Sequence, residues 1–233
     1  MKLKVPIKGI FFDMGWTLLH PASGDCWASA AMGISPELKA SIPKTKWENA
    51  FKKAMKYLDD NHLLFTEEEE YRQFQVFYGI VAAELPELGM TAADIDAAAY
   101  SKTYNMSNYM FFDDVLPTLD ALKRQYKLGI ISDNWPSMFS ALRHGGIDGY
   151  FDCVTVSCFL GVCKPNPRMY EHALEQMGLP PEQTVFIDDG VENLDGAAKC
   201  GIQSILITAK PGAEDSGRFV SIQRLAALID ILP

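Results

Sequence analysis

Residues 7–18 read IKGIFFDMGWTL, a segment in which an apolar run ends at an acidic residue, Asp13. Short apolar runs of this kind are typical of parallel strands that are buried on both faces of a sheet. Two similar runs also end in acidic residues, at 127–133 (KLGIISD) and 184–189 (TVFIDD), and a fourth, 202–208 (IQSILIT), lacks the acid. The sequence therefore predicts four buried parallel strands, three of which end in carboxylates.

Helical patterns separate these predicted strands, at residues 114–126, 167–178 and 191–200, and a last helix is predicted at about 220–231. Alternation of strand and helix is the sequence signature of an open parallel sheet with helices on both faces. The predicted fold class is therefore α/β, a Rossmann-like doubly wound parallel sheet.

A long insert without comparable strands interrupts this pattern after the first strand. Three capping boxes mark predicted helix starts in it, at Thr45, Thr66 and Thr91, each followed three residues later by Glu or Asp. We therefore expect an all-helical cap inserted into the α/β core. The predicted domains are a core of residues 1–20 and 110–233 and a cap of residues 21–109.

The charge and composition of the chain limit its partners. The 233 residues include 21 Lys and Arg against 30 Asp and Glu, a formal net charge of −9. A surface of this sign repels nucleic-acid phosphates, and no apolar run approaches the ~20 residues that span a bilayer. The five cysteines form no Cys-x-x-Cys pair, which favours a reducing compartment. We expect a cytoplasmic monomer or homodimer that binds neither nucleic acid nor membrane.

The acidic strand ends predict a cation site. Ligands of open parallel sheets bind outside the carboxyl ends of the strands, so Asp13, Asp133, Asp188 and Asp189 are expected close together. Carboxylates crowded in a crevice repel one another unless a cation is present. Mg²⁺ prefers such hard oxygen ligands and commonly takes one or two carboxylates together with water and substrate phosphate. The sequence therefore predicts a magnesium site at this edge of the sheet.

Other residues near the predicted strand ends suit phosphate chemistry. Ser132 offers a hydroxyl, followed by the backbone amides of a helix start, which favour anions. Lys164 lies in the segment GVCKPNP, where two prolines restrict the backbone after the lysine. Phosphoryl transfer needs a nucleophile and cations on the phosphate oxygens. Asp13 is the candidate nucleophile, because a carboxylate can form an acyl phosphate.

These residues, in this order, resemble the haloacid dehalogenase (HAD) superfamily. Its first motif, an apolar strand followed by Asp-x-Asp-x-Thr-Leu, is similar to residues 11–18. Its second, an apolar strand ending in Ser or Thr, is similar to residues 128–132. Its third, a lysine before proline, and its fourth, an acidic pair after an apolar strand, match Lys164-Pro165 and residues 185–189. The helical insert between the first two motifs resembles the C1-type cap of the family.

The resemblance implies a role for each matching residue. The catalytic residues that it implies are Asp13, Ser132 and Lys164. The implied substrate-binding residues are Ser132, Asp133, Asn134 and Lys164, and the implied Mg²⁺ ligands are Asp13, the backbone carbonyl of Gly15, Asp188 and Asp189. Thr17 resembles the residue that stabilises the loop after the first strand.

The first motif departs from the family pattern at one position. Phosphatases of the family carry a second Asp there as general acid and base, and this chain has Gly15 followed by the bulky Trp16. Loss of a general acid or base typically costs ~10²–10⁴-fold in rate. A good leaving group, an acid from the cap or a bound water would compensate, and His20 is a candidate acid.

Several functions share these motifs. The leading hypothesis is a Mg²⁺-dependent phosphatase that hydrolyses a small phosphorylated metabolite through an aspartyl-phosphate on Asp13. Dehalogenases of the family also lack the second Asp but work without metal, which the pair Asp188-Asp189 disfavours. Phosphonate-cleaving members lack it too and use a cap lysine as a Schiff base. The cap lysines considered are Lys39, Lys44, Lys46, Lys52, Lys53 and Lys56.

A non-catalytic alternative comes from the same departure. With Gly15 in place of the acid and base, the domain would bind metal and phosphate without turnover. Such a protein would bind Mg²⁺ and a phosphate analogue but release no phosphate from any ester.

Overall fold

The computed structural model describes residues 3–4, 6–24, 28 and 31–232. The chain divides into two compact units. Unit 1 comprises Met1–His20, Phe111–Asn134 and Leu142–Pro233, and unit 2 comprises Pro21–Met110 and Trp135–Ala141. The segment Trp135–Ala141 thus groups with unit 2, although it follows the second predicted strand.

Unit 1 is built on a six-stranded sheet in which every neighbouring pair is parallel, in the order β5-β4-β1-β6-β7-β8. Its strands are β1 (Gly9–Phe12), β4 (Lys127–Ser132), β5 (Cys153–Val156), β6 (Thr184–Asp188), β7 (Gln203–Ile207) and β8 (Val220–Ile222). The predicted Rossmann-like α/β class is confirmed. Two short strands that were not predicted, β2 (Leu19–Pro21) and β3 (Tyr109–Phe111), form a separate two-stranded sheet.

Strand β1 lies in the middle of the large sheet, and its burial explains its sequence. All four of its residues are buried, so both faces must be apolar. Phe12 is in register with Ile130 of β4 on one side and with Ile187 of β6 on the other. The carboxyl ends of β4, β1 and β6 therefore lie side by side.

The helices of unit 1 follow the predicted alternation with shorter bounds. They are α5 (Val115–Leu122), α7 (Ser157–Leu160), α8 (Pro167–Met177), α9 (Val191–Lys199) and α10 (Leu228–Ile231), and α6 (Met138–His144) is divided between the units. Helix α8 begins with Pro167 at its first position and ends at Gly178 in the left-handed conformation, with φ of 65°, the expected start and stop signals.

The predicted helix at 220–231 is wrong over most of its length. Val220–Ile222 form strand β8 and pair with Ile205–Ile207 of β7. Only Leu228–Ile231 are α-helical, after a 3₁₀ turn at Leu225–Ala227. The apolar spacing of these residues is compatible with a helix. The β-branched residues at 220 and 222 instead extend the sheet, because the outer edge of β7 offers hydrogen-bond partners for another strand.

Unit 2 is helical over most of its described length. Its helices are α1 (Pro36–Ser41), α2 (Lys44–Asp60), α3 (Glu67–Glu84) and α4 (Ala92–Tyr104). The capping boxes predicted at Thr66 and Thr91 are confirmed by their reciprocal hydrogen bonds. The box predicted at Thr45 is wrong, because helix α2 begins one residue earlier, after Pro43. Thr45 is therefore already inside the first turn and cannot cap it.

Neither the cysteines nor the helices contradict the expectations drawn from composition. Cys153, Cys158, Cys163 and Cys200 are free thiols, whereas Cys26 lies outside the described residues. Among the described helices, none combines the length and the apolarity that crossing a bilayer requires.

A buried charged network lies inside unit 2. Both carboxylate oxygens of Glu70 accept hydrogen bonds from Ser137, one from its N–H at 2.8 Å and one from its hydroxyl at 2.7 Å. The Lys102 ammonium lies 3.5 Å from Glu70 Oε1 and faces the rings of Phe74 and Trp135, at 4.6 and 5.0 Å. Burial raises the pKa of Glu70, and Lys102 and Ser137 oppose that shift. The network holds the start of α6 inside unit 2.

Replacing Glu70 with Ala should lower the free energy of unfolding by about 3–5 kcal/mol, because a buried cation and two buried donors lose their partner. Denaturant unfolding measures this loss. The matched control is Glu84→Ala, which removes a carboxylate that pairs with Lys53 at 2.7 Å on the exposed surface and should cost at most about 1 kcal/mol. Equal losses of unfolding free energy in the two variants would contradict the claim that burial makes the Glu70 contacts more important than an exposed ion pair.

Candidate active site

The candidate site lies in unit 1, at the carboxyl ends of three adjacent strands. Asp13 follows the last residue of β1, Ser132 ends β4, and Asp188 ends β6. Because β4, β1 and β6 are neighbours and parallel, these three residues emerge at one edge of the sheet, where α/β proteins bind ligands. Ser132 and Asp188 are buried, and Asp13 is 8% exposed.

Lys164 joins the carboxylates of this edge. Its ammonium donates to Asp13 Oδ1 at 2.6 Å and to Asp188 Oδ2 at 2.7 Å. Its backbone N–H donates to Asp133 Oδ1 at 2.8 Å, so side chain and backbone of one residue contact three of the predicted acids. The ammonium also faces the ring of Phe186 at 5.3 Å. The structure therefore brings Asp13, Asp133, Lys164 and Asp188 together by direct contacts.

Two donors that the sequence did not single out fix the orientation of Asp188. The backbone N–H of Gly190 donates to Asp188 Oδ1 at 2.6 Å, and the amide of Asn193 donates to both oxygens at 3.0 and 3.1 Å. A Cβ on Gly190 would lie 2.9 Å from Asn193 Nδ2 and 3.0 Å from Asp188 Oδ1. The Gly after the acidic pair, at the N-terminus of α9, is the sequence signal for this close approach.

The predicted phosphate-binding loop is held by another residue that the sequence did not indicate. The N–H of Asn134 donates to Ser157 Oγ at 3.0 Å, and the same hydroxyl donates back to the carbonyl of Asn134 at 3.3 Å. Ser157 begins α7 directly after β5. Because β5 was not predicted, nothing in the sequence placed Ser157 beside the loop that follows Ser132.

Burial raises the pKa values of three carboxylates at this edge, and the neighbouring charges modify these shifts. Burial raises the pKa of Asp13 to about 7, with Lys164 opposing the shift and Asp188 adding to it. Burial, reinforced by Asp188, raises the pKa of Asp189 to about 6. The pKa of Asp133 is raised as well, again chiefly by burial. Burial lowers the pKa of Lys164, but the surrounding acids, Asp13 first, outweigh it and raise that pKa overall.

The position of the missing acid and base has room for a side chain. A Cβ built on Gly15 would have Asp13 Oδ2, at 3.9 Å, as its one neighbour within 4 Å among the described residues. Trp16 adopts a φ of +56°, a left-handed conformation that favours glycine and costs other residues roughly 1–2 kcal/mol. The left-handed position of this loop is thus occupied by Trp16, whereas Gly15 is not in the left-handed region.

Trp16 belongs to an aromatic stack beside this position, with His20 as the middle ring. The His20 ring stacks on Trp16 with centroids 5.7 Å apart, and Phe112 packs against His20 at 4.9 Å. The Lys210 ammonium, which the sequence did not single out, lies 5.7 Å from the Trp16 ring centroid and lowers the pKa of Asp189 against the effect of burial. His20, the candidate acid, is therefore packed between two rings.

Thr17, the residue expected to stabilise the loop after β1, points its side chain into the interior of unit 1. Its side chain is fully buried, and its hydroxyl has no hydrogen-bond partner among the described residues. The loop is instead closed by backbone bonds to Met14 O from Leu18 N at 2.9 Å and from Leu19 N at 3.0 Å.

The donors at this edge fit a hard divalent cation. The carboxylates of Asp13 and Asp188 contact the Lys164 ammonium, and carboxylate oxygens are the ligands that Mg²⁺ prefers. Within the described residues, no three His, Cys, Asp or Glu side chains converge as a complete ligand set. An ion at this edge would therefore also take water and backbone oxygen, which Mg²⁺ commonly does and for which the Gly15 carbonyl is the predicted donor.

Comparison with known proteins agrees with this fold and motif order. The sequence profile of haloacid dehalogenase-like hydrolases matches residues 7–201. A glyceraldehyde 3-phosphate phosphatase of Methanothermobacter thermautotrophicus is 28% identical over 88% of this chain and 87% of its own. Another, of Methanopyrus kandleri, is 26% identical over 97% of both chains.

A solved structure of a relative with different chemistry has the same fold. The L-2-haloacid dehalogenase of Xanthobacter autotrophicus superposes with a TM-score of 0.68 over 98% of this chain and all of its own, at 17% identity. The family profile matches most of the chain. The matched residues include the four motifs, in their usual order, together with most of the parallel sheet. The chain is a haloacid dehalogenase-like hydrolase.

Proposed function

We propose that this hydrolase is a Mg²⁺-dependent phosphatase that cleaves a small phosphorylated metabolite through an aspartyl-phosphate on Asp13. The observation that carries the proposal is the position of Lys164, whose ammonium lies 2.6 Å from Asp13 and 2.7 Å from Asp188. A buried cation at the nucleophile counters the charge of an incoming phosphate, which the acidic strand ends would otherwise repel.

Each residue of the site has a role in the proposed reaction. An oxygen of Asp13 attacks phosphorus, and the buried Ser132 and Lys164 bind the phosphate oxygens. Asp133 orients Lys164 through its backbone N–H, and Asn134 lies at the entrance. Asp13, the Gly15 carbonyl, Asp188 and Asp189 would hold Mg²⁺. When bound, that ion supplies charge that stabilises the transferring phosphoryl group.

The comparisons support a small phosphorylated substrate. Both curated relatives described above are named glyceraldehyde 3-phosphate phosphatases and align with most of this chain. A three-carbon phosphate is therefore one of the first substrates to test. We also propose a cytoplasmic setting, which the four free thiols among the described cysteines support.

Dehalogenation is the second candidate function, and Gly15 is the observation that favours it. A haloacid dehalogenase needs the Asp nucleophile but not the second Asp of the first motif, and a dehalogenase has the same fold. The carboxylates of Asp188 and Asp189 argue against it, because a site that works without metal gains nothing from two adjacent acids. Burial, reinforced by Asp188, raises the pKa of Asp189, and a bound cation would offset that cost.

Removal of divalent cations should lower phosphate release by about 100-fold or more, because a metal ion contributes several kcal/mol of charge stabilisation. The measurement compares glyceraldehyde 3-phosphate, an aryl phosphate and acetyl phosphate with Mg²⁺ and with EDTA. A 2-haloacid assayed for halide release in EDTA is the control. Halide release in EDTA, together with no phosphate release from any of the three esters in Mg²⁺, would replace phosphatase by dehalogenase. Phosphate release that is equal in Mg²⁺ and in EDTA would contradict the metal dependence.

A Schiff-base mechanism can be tested separately, because it requires a deprotonated cap lysine. Three of the candidate lysines, Lys46, Lys53 and Lys56, pair with carboxylates on the exposed surface of unit 2. The hydrogen bond to Asp60 raises the pKa of Lys56. We therefore expect no covalent adduct after borohydride treatment with a phosphono-aldehyde. Mass-spectrometric detection of an adduct on any cap lysine would support phosphonate cleavage instead.

A further inference from the structure

The space beside the nucleophile lacks a proton donor of its own. Gly15 has no side chain, and the built Cβ position is open apart from Asp13 Oδ2 at 3.9 Å. Phosphatases that this chain resembles place their general acid and base at this position. Here position 15 can neither protonate a leaving group nor deprotonate an attacking water.

The neighbouring groups are engaged in other contacts. The ammonium of Lys164 is shared between Asp13 and Asp188, at 2.6 and 2.7 Å. The ring of His20 packs against Trp16. Within unit 1, Lys164 and His20 are therefore both held in contacts other than one with a leaving group.

From the proposed phosphatase function and this missing donor, we infer that the site takes phosphate donors whose leaving group departs without a proton. These are acyl phosphates, enol phosphates and aryl phosphates. Carboxylic acids have a pKa of about 4 and phenols of about 10, whereas an alcohol lies near water, at about 16. The inference rests on the proposed function, because it assumes that Asp13 attacks a phosphate ester.

The bonds that change explain the dependence on the leaving group. In the first step an oxygen of Asp13 forms a bond to phosphorus, the bond from phosphorus to the leaving oxygen breaks, and that oxygen keeps the electron pair. A carboxylate or a phenolate is stable with this pair. An alkoxide is much less stable with this pair. Without a general acid, the bond to it must break before a proton from solvent neutralises it, so the barrier is higher.

The second step is also unassisted at position 15. Water attacks phosphorus, the bond to Asp13 breaks, and dihydrogen phosphate leaves while the carboxylate is restored. Without a base, this step is slow for every substrate. Acyl, enol and aryl phosphates, called activated donors below, should therefore share one kcat, which is set by hydrolysis of the phosphoenzyme. They should also show a burst of leaving-group release before the steady state.

The test is a series of phosphate monoesters measured with the full chain in Mg²⁺. It includes acetyl phosphate, aryl phosphates with graded leaving-group pKa, and the alkyl ester glyceraldehyde 3-phosphate. We expect kcat/KM to fall steeply with leaving-group pKa, so that the activated donors exceed the alkyl ester by ~10²–10⁴-fold, the usual contribution of a general acid.

Substitution at position 15 tests the cause of this dependence. Gly15→Asp, alone and combined with Trp16→Gly to relieve the left-handed backbone, should narrow the ratio of aryl to alkyl kcat/KM by at least ~10²-fold. Gly15→Asn is the matched control, because Asn has about the same size as Asp but no carboxyl group. It should leave the ratio of aryl to alkyl kcat/KM as wide as in the wild type.

The outcomes separate the inference from the function on which it rests. If the wild type hydrolyses alkyl and aryl esters with similar kcat/KM, another group supplies the proton and the inference is overturned, while the phosphatase function stands. The same holds if folded Gly15→Asp variants keep the wide ratio. If no monoester releases phosphate and none phosphorylates Asp13, the proposed function itself is wrong. Should the variants not fold, the wild-type series decides alone.

Discussion

Replacement of Asp13 with Asn should reduce phosphate release by about 10⁵-fold or more, the order seen when a covalent nucleophile is removed. The amide keeps the size of the side chain and an oxygen that can still accept a hydrogen bond from Lys164, but it cannot attack phosphorus. Steady-state release of phosphate from acetyl phosphate measures the loss. Acid quenching followed by mass spectrometry should show a phosphorylated peptide with the wild type and none with the variant.

The matched control for this change is Asp113→Asn. Asp113 also lies in unit 1, but its side chain is 86% exposed and pairs with Arg224 at 2.6 Å. The same chemical change there should alter the rate by less than about twofold, because exposed ion pairs contribute little. An Asp13→Asn enzyme that keeps more than a tenth of the wild-type rate would exclude the aspartyl-phosphate route.

The fold was predictable where burial forces a uniform sequence. Strands β1, β4 and β6 are buried on both faces, so their residues are apolar in unbroken runs that the sequence displays. Strand β8 has only three residues, two of them half-buried, and so lacks such a run. Whether these residues form a strand or a helix depends on pairing with the edge of β7. That pairing is a tertiary contact, which the local sequence pattern does not reveal.

The sequence predicted which acids stand at the strand ends but not the contacts that they make. Asp13, Asp188 and Asp189 were found because each directly follows or ends an apolar run. The bridging of two acids by Lys164 requires the loop geometry, which neither spacing nor composition gives. Asn193 illustrates the same limit, because it reaches Asp188 only after the turn at the start of α9 brings it back.

Gly15 shows how an exception to a motif becomes informative once the structure is known. From sequence, its meaning was open among lost turnover, a metal-free reaction and an acid supplied elsewhere. The structure adds that the position is unfilled and free of left-handed strain. A carboxylate can therefore be restored there, and that experiment distinguishes a missing proton donor from a lost function.

Replacement of Lys164 with Met should damage both activity and stability. Asp13 and Asp188 would lose a buried cation that contacts them at 2.6 and 2.7 Å. Removal of one partner of a buried ion pair costs about 3–5 kcal/mol, which denaturant unfolding in EDTA would measure. Phosphate release should fall by about 10³-fold or more, because the phosphate oxygens lose a buried cation. The matched control is Lys123→Met, whose exposed pair with Asp152 should contribute at most about 1 kcal/mol.

The pH dependence of this loss identifies its cause. Burial already raises the pKa of Asp13 to about 7, far above the value of about 4 in an unfolded chain, and removal of Lys164 raises it further. The folded variant then binds protons that the unfolded chain has released, so its stability falls as pH rises. The deficit relative to the wild type should be largest above pH 7 and shrink toward pH 5, as protonation neutralises the unpaired carboxylates. A deficit that is equal at pH 5 and pH 8 would mean that Lys164 stabilises unit 1 by packing, because lost packing does not titrate.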